Sequence, residues 1–176
     1  MVESVEPTDE ELIGLAGQIH ERLTGLHLRA ATAESCTGGL VGHLLTEIPG
    51  SSDYYVGGAI SYSDAVKHGI LGVTDEALQR HGAVSAQVAV AMAEGARKTF
   101  GADLAVAVTG VAGPAGGTEA KPVGLTYVAV ADTYGHDVQR YQWTGDRSTN
   151  KRESARAALV LLLERAEQSE PPEPAA

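Results

Sequence analysis

A serine and a cysteine stand side by side in TAESCTGG (32–39), where a short apolar strand pattern gives way to a helical one. Open α/β folds bind their ligands at the carboxyl ends of such strands. Ser35 is therefore a candidate nucleophile, and Cys36 is a second one. The N–H groups that follow open a helix and attract anions, so they are predicted to stabilise an oxyanion. The alternative is structural: Ser35 and Thr37 cap the helix, and the glycines ease the turn.

The chain offers a lysine rather than a histidine as the base that a serine nucleophile needs. The six histidines fall in or near helices or in a turn, and no two have the i, i+4 spacing of a helical metal site. Lys67, in ISYSDAVK (60–67), begins a helix directly after a strand, from where its amine can reach back. Burial would lower its pKa towards neutrality, and Tyr62 would orient it or relay a proton. The alternative is a solvated helix lysine.

A glycine-rich loop over 110–122 follows a second apolar strand pattern, with Thr109 at the junction. Turns of this kind form main-chain N–H concavities that hold phosphate or ribose oxygens. The loop matches neither the Walker pattern nor the GxGxxG dinucleotide pattern. A surface loop without function stays the alternative, although a loop of this length in a compact domain tends to be functional.

Alternating helix and strand patterns surround these segments. Thr8 and Glu11 form a capping box for a first helix, and Ser63, Thr74 and Ser85 are predicted to cap three later ones. Strands are predicted at 28–34, 53–62, 102–110, 123–133 and 137–144, and further helices at 39–48, 63–71, 74–82, 86–100 and from Ser148 onwards. The last two strands form a hairpin. This order predicts an α/β sandwich with a mixed sheet.

Length and composition indicate one globular domain: 176 residues, 43% of them hydrophobic and 20% charged. The single cysteine excludes an intramolecular disulfide, and no apolar run approaches the roughly 20 residues of a membrane span. A net charge of −10 without a basic stripe argues against nucleic-acid binding. The acidic N-terminus is unlike a targeting peptide, so we expect a cytoplasmic protein. We predict a flexible acidic N-terminus (1–7), one domain (8–168) and a disordered tail (169–176).

Five ordered motifs give the sequence a resemblance to a known family. They are TAESCTGGLVGHLLTEIPGSS, GAISYSDAVKHGILGV, GAVS, AVTGVAGPAGGTEAKPVG and TGDR. Over about residues 8–165 the chain resembles the C-terminal domain of the competence/damage-inducible CinA family, which also occurs alone as a nicotinamide-nucleotide amidohydrolase. The resemblance implies a three-layer α/β/α fold. It also implies hydrolysis of nicotinamide mononucleotide to nicotinate mononucleotide and ammonia, without metal or cofactor.

The resemblance further implies roles for individual residues. Ser35 stands at the family's nucleophile position, Lys67 at that of the base and Tyr62 at that of its partner, while Thr109 matches a threonine beside them. Cys36 then becomes a neighbour of the attacking atom. Seven residues are expected to contact the substrate: Cys36, Thr37, Gly38 and Gly39 around the oxyanion, and Gly110, Gly113 and Arg147 around the ribose and phosphate.

Two departures from the family pattern bear on function. Many members have Asn and Glu where this chain has Asp64 and Ala65, and a carboxylate near Lys67 favours the charged lysine. CinA proteins often carry a large N-terminal domain of another activity, which this sequence lacks, so we expect a stand-alone amidase. Two rival functions stay open: a nucleotide-binding module without turnover, linked to competence or DNA damage, and a hydrolase of another amide or ester. We also expect a homo-oligomer, since such enzymes commonly form symmetric dimers.

Overall fold

A computed structural model describes residues 5–171 of the chain. Its helices are α1 Asp9–Leu26, α2 Leu40–Thr46, α3 Asp64–Leu71, α4 Asp75–His81, α5 Ala86–Phe100 and α6 Arg147–Gln168, with a short 3-10 helix at Ser51–Asp53. Its strands are β1 Ala30–Glu34, β2 Tyr55–Ile60, β3 Leu104–Gly110, β4 Leu125–Ala131 and β5 His136–Gln142. No helix within this range is long and apolar enough to cross a membrane.

The five strands form one mixed sheet in the order β2-β1-β3-β4-β5. β1 lies between β2 and β3 and is parallel to both, whereas β3, β4 and β5 are paired antiparallel. The carboxyl ends of β1, β2 and β3 therefore meet at one edge of the sheet. Ser35, Ser61 and the glycine-rich loop all begin at that edge, where α/β folds bind ligands.

The two faces of the sheet carry side chains of different size, and different helices cover them. On one face Leu104, Val106 and Val108 of β3 belong to the core that α1, α2 and α6 complete. On the other face Ala105 and Ala107 pack with α3, α4 and α5. This alternation follows from the two-residue period of a strand. Helices on both faces make a three-layer α/β/α sandwich, which confirms the predicted fold class.

Side-chain caps begin four helices where the sequence predicts them. Thr8, Ser63, Thr74 and Ser85 each accept a hydrogen bond from the main-chain N–H three residues further on. A hydroxyl at this position satisfies one of the N–H groups that a helix leaves without an internal partner. Because the signal is local, these four helix starts are among the most accurate sequence predictions.

Most element boundaries differ from the prediction by one or two residues, and two of these differences have a visible cause. α6 begins at Arg147 rather than Ser148 because Asp146 caps it, accepting a hydrogen bond of 2.8 Å from the N–H three residues on. A carboxylate at this position also interacts favourably with the helix dipole. The β4–β5 turn lies earlier than predicted, since Asp132 accepts bonds from two N–H groups of the turn and His136 is already the first residue of β5.

Part of each predicted flexible end contacts the domain. Arg152 on α6 donates to the carbonyl oxygen of Pro7 and pairs with the carboxylate of Glu6 at 3.3 Å. At the other end, Arg22 donates to the carbonyl oxygen of Ser169 at 3.0 Å. The remainder of both predicted ends, residues 1–4 and 172–176, lies outside the described residues.

Candidate active site

Strand β1 delivers Ser35 to the carboxyl edge of the sheet. Ser35 continues the strand pairing by donating its main-chain N–H to the carbonyl oxygen of Val108 at 2.9 Å. The chain then turns through Gly38 and Gly39, both at positive φ. A Cβ at position 39 would approach the side chain of Ile60 to 3.1 Å. Glycine suits this turn because it adopts positive φ at little steric cost and leaves the space open.

The carboxylate of Glu34 takes up the first N–H groups of α2. It is buried and accepts hydrogen bonds from the N–H groups of Val41 at 2.8 Å and Gly42 at 3.0 Å. The N-cap residue of α2 is a glycine with no side-chain cap, so the helix is not capped by Ser35 or Thr37. Sequence reasoning missed Glu34, although its position directly before the serine was an available signal.

The turn after Ser35 keeps some N–H groups available for an oxyanion. The N–H of Gly38 donates to the carbonyl oxygen of Ser35 at 3.1 Å, which removes this residue from the expected donors. The N–H groups of Thr37 and Gly39 donate to no atom within residues 5–171. The N–H of Cys36 likewise donates to no other residue in that range. The hydroxyl of Thr37 is buried and also has no partner in that range.

Lys67 on α3 reaches back to the serine. Its Nζ lies 3.0 Å from Ser35 Oγ, 2.8 Å from the carbonyl oxygen of Ser61 and 3.3 Å from that of Tyr62. The residue is only 1% exposed, so the alternative of a solvated helix lysine is wrong. With Cε, these three partners complete a four-fold environment around the nitrogen, which holds the amine in one place.

The partners of Lys67 are uncharged oxygens. Burial lowers the pKa of its amine, because an apolar environment disfavours the charged form, while the charge of Asp64 acts in the opposite direction. The amine therefore loses its proton more readily than an exposed lysine does. A proton acceptor for a serine hydroxyl needs this property.

Tyr62 contacts Lys67 through its main chain. Its carbonyl oxygen accepts the hydrogen bond from Lys67, whereas its side chain is exposed and its hydroxyl accepts a long bond of 3.4 Å from Arg147. Arg147 also donates to the carbonyl oxygen of Gly113 at 2.7 Å. Tyr62 thus positions the amine through its backbone, without the hydroxyl contact that the expected proton relay requires. Arg147 links this segment to the glycine-rich loop.

A cavity of about 280 Å³ opens over Ser35 and Lys67. Thr109 is buried in its wall and donates its hydroxyl to the carbonyl oxygen of Ala83 at 2.8 Å, which joins β3 to the segment before α5. The predicted site residues in the lining are Ser35, Cys36, Tyr62, Lys67, Thr109, Gly110, Gly113 and Arg147. The lining residues that sequence reasoning did not assign are Asp64, Ala83, Val84, Val111, Ala112, Ala115 and Gly116. Thr37, Gly38 and Gly39 are not part of the lining.

A family model for the CinA C-terminal domain matches residues 13–166 of the chain. The chain belongs to this family. A CinA-like protein of Salinibacter ruber is 46% identical over 159 residues, which cover 88% of this chain and 39% of the relative. A CinA-like protein of Koribacter versatilis is 43% identical over 159 residues, covering 88% and 38%. The chain thus spans about two fifths of the length of these curated relatives.

Solved structures of CinA-family proteins share the fold. The competence/damage-inducible protein CihA from Agrobacterium tumefaciens matches with a TM-score of 0.86 at 41% identity, over 92% of this chain and 98% of its own. The competence damage-inducible protein A from Klebsiella pneumoniae matches with a TM-score of 0.87 at 32% identity, over 90% and 99%. These matches confirm the resemblance that the five motifs indicated.

In this CinA domain Cys36 is a poor nucleophile despite its place beside Ser35. Burial raises the pKa of its thiol to about 12, although its own N–H acts in the opposite direction. The thiolate is the reactive form of cysteine, so the residue is almost entirely in its weakly reactive thiol form at neutral pH.

The cavity of the CinA domain suits a polar organic molecule. Among residues 5–171, no three His, Cys, Asp or Glu side chains lie together as a metal site requires. The ionisable side chains that the lining offers besides Cys36 and Tyr62 are Asp64, Lys67 and Arg147. Together with the glycine-rich loop, they offer hydrogen-bond donors and acceptors to a small ligand.

Proposed function

We propose that this CinA domain is a serine–lysine amidohydrolase that converts nicotinamide mononucleotide to nicotinate mononucleotide and ammonia. The observation that carries the proposal is the environment of Lys67. A neutral amine has two N–H donors and one lone pair. The carbonyl oxygens of Ser61 and Tyr62 can only accept, so they take the two N–H groups. The lone pair is then left for the third partner, the hydroxyl of Ser35.

This arrangement accounts for each proton in the reaction. Lys67 removes the hydroxyl proton as Ser35 Oγ forms a bond to the carboxamide carbon, and the carbonyl π electrons move to the oxygen. When the tetrahedral intermediate collapses, Lys67 returns the proton to the departing nitrogen, which leaves as ammonia. Lys67 next deprotonates a water that attacks the acyl ester. As the ester is cleaved, Lys67 gives that proton to Ser35 Oγ, which restores the hydroxyl, and the carboxylic acid that is released loses its own proton to solvent and becomes the carboxylate.

The N–H of Cys36 is the proposed donor to the oxyanion, because Cys36 lines the cavity over Ser35 whereas Thr37 and Gly39 do not. It donates to no other residue within the described part of the chain. A donor held ready for the developing charge lowers the barrier because it needs no reorganisation during the reaction. The N–H groups of Val41 and Gly42 are excluded from this role, since Glu34 occupies them.

The pyridine nucleotide as substrate rests on the family resemblance, since the names of the relatives state no substrate. The cavity agrees with it in size, because about 280 Å³ is close to the lower limit of small-molecule sites. The glycine-rich loop forms one wall of this cavity and is the proposed contact for the ribose.

The test is ammonia release from nicotinamide mononucleotide, in buffer with a chelator, by the wild type and by Ser35→Ala. We expect turnover that Ser35→Ala lowers at least about 1,000-fold without loss of folding, because no other hydroxyl within residues 5–171 contacts Lys67. Cys36→Ala is the matched control and should retain most activity. Near-normal turnover by Ser35→Ala would sink the nucleophile assignment. A folded wild type that binds the nucleotide without releasing ammonia would favour the silent binding module.

A further inference from the structure

A second cavity lies beside the first, between the start of α2 and the first turns of α6. Its volume is about 450 Å³, and its lining consists of Leu40, Arg147, Ser148, Lys151 and Arg152. Arg147 lines both cavities. The second cavity therefore adjoins the one over Ser35 at the side chain of Arg147.

The ammonium group of Lys151 is the distinctive feature of this second cavity. Its Nζ lies against the turn after Ser35, since a Cβ at Gly38 would be only 3.9 Å away. Its charge acts on the thiol of Cys36 in the same turn. The side chain of Lys151 forms no hydrogen bond or ion pair with any residue in the range 5–171. A half-buried cation thus faces the site without an anionic partner.

The neighbouring arginines have partners of their own. Arg152 pairs with Asp9 at 2.6 Å and with Glu6 at 3.3 Å, so its charge is compensated. Arg147 donates to two uncharged groups, the carbonyl of Gly113 and the hydroxyl of Tyr62. The first turn of α6 contains no acidic residue. In a chain with a net charge of −10, an unpaired lysine beside Arg147 leaves a local excess of positive charge.

We propose that the second cavity binds the phosphate monoester of the substrate and that Lys151 is the residue that recognises it. This inference rests on the proposed function, because it assumes that a nucleotide reacts at Ser35. A phosphate monoester carries nearly two negative charges at neutral pH, and an ammonium group binds it as a point charge. Lys151 thereby selects the nucleotide over the nucleoside that lacks the phosphate.

The kinetic test compares nicotinamide mononucleotide with nicotinamide riboside. Lys151→Gln should lower kcat/KM for the nucleotide by about 10- to 100-fold relative to its effect on the riboside, mainly through KM, as expected for a charged hydrogen bond. Lys151→Arg should restore most of the preference, since it restores the charge. Lys98→Gln removes an exposed lysine from α5 and is the matched control, with no change expected. An equal loss for both compounds, or no loss for either, would overturn the proposal.

A binding measurement separates this inference from the proposed reaction. Ser35→Ala is titrated calorimetrically with the nucleotide and with the riboside, and the titrations are repeated in Ser35→Ala/Lys151→Gln. We expect the first protein to bind the nucleotide about 10- to 100-fold more tightly and the second to lose that preference. The result does not depend on turnover, so it can support the phosphate site even where ammonia release fails. A preference that persists without Lys151, or is absent with it, contradicts the assignment.

Discussion

The CinA domain shields two basic side chains at opposite ends of its sheet and surrounds them with different neighbours. Arg165, whose side chain is 14% exposed, donates to Asp132 at 2.6 and 2.7 Å and to Asp137 at 2.8 Å. Hydrogen bonds to Asp132 are the largest cause that raises the pKa of Arg165. Lys67 is more deeply buried and contacts only a hydroxyl and two carbonyl oxygens, and burial lowers its pKa.

The difference separates a residue that stabilises the fold from one that suits chemistry. Carboxylates beside Arg165 compensate the cost of removing its charge from water. No carboxylate among residues 5–171 contacts Lys67, so burial lowers its affinity for a proton and favours the neutral amine. A buried ionisable group without a charged partner is typical of functional sites, where its pKa must be tuned for proton transfer.

Replacing Lys67, which contacts no carboxylate in the described part of the chain, should have the largest effect on activity and a small one on stability. We expect Lys67→Met to lower the turnover of nicotinamide mononucleotide by about 1,000-fold or more, since the base and the acid are lost together. The free energy of unfolding in urea should change by less than about 1 kcal/mol, because loss of the buried amine offsets loss of its hydrogen bonds. Lys98→Met, on an exposed helix surface, is the control. If the Lys67→Met protein remained active, the assignment of Lys67 as the base would be wrong.

Replacing Asp132, the carboxylate partner of Arg165, should lower the stability of the fold and leave activity unchanged. Burial acts to raise the pKa of Asp132, but hydrogen bonds from Arg165 and two main-chain N–H groups outweigh it and hold that pKa below its ordinary value. Asp132 therefore stabilises the fold at neutral pH, and this contribution is lost as the pH falls through its folded pKa. We expect Asp132→Asn to lower the free energy of unfolding by about 2 kcal/mol at pH 7, as measured in urea, with kcat unchanged.

A pH series and a second variant test the same pair further. The stability difference between the wild type and Asp132→Asn should shrink below about pH 4, where the wild-type carboxylate also gains a proton. Asp137→Asn removes the more exposed partner of Arg165, 54% accessible, and should change the free energy of unfolding by less than about 0.5 kcal/mol. An equally large effect from both variants would mean that burial does not distinguish the two contacts.

Local signals predicted much of the fold, whereas contacts between distant segments were beyond the sequence. Hydroxyl caps at Thr8 and Ser85 fix helix starts through bonds to residues three positions away, so they are visible in the chain itself. The backbone contact of Tyr62 with Lys67 and the bond from Arg147 to Gly113 depend on tertiary packing. No periodicity in the sequence specifies them.

The proximity of Ser35 and Lys67 could be predicted from the sequence only in part. Strand-end positions indicated that both could reach one edge of the sheet. Their distance depends on the parallel register of β1 and β2, which pairs Glu34 with Ile60 and so places Ser35 level with Ser61. The first turns of α3 then bring Lys67 back over that position. Register and burial are set by the packed core, which is why the lysine environment could not be read from the sequence.

The smallest expected effect concerns the one carboxylate that acts on Lys67 and so tests the contrast between Lys67 and Arg165. Asp64, exposed at the start of α3, lines the cavity and acts to raise the pKa of Lys67. Asp64→Asn removes that charge, so the pKa of Lys67 should fall further and the acidic limb of the kcat/KM profile should move down by about half a pH unit. At pH values below the midpoint of this limb, kcat/KM of the variant should be about threefold that of the wild type. Asp75→Asn on α4 removes an equal charge outside the cavity lining and should leave the profile unchanged. An upward shift, or none, would mean that Asp64 does not act on the base but contributes to the site in another way.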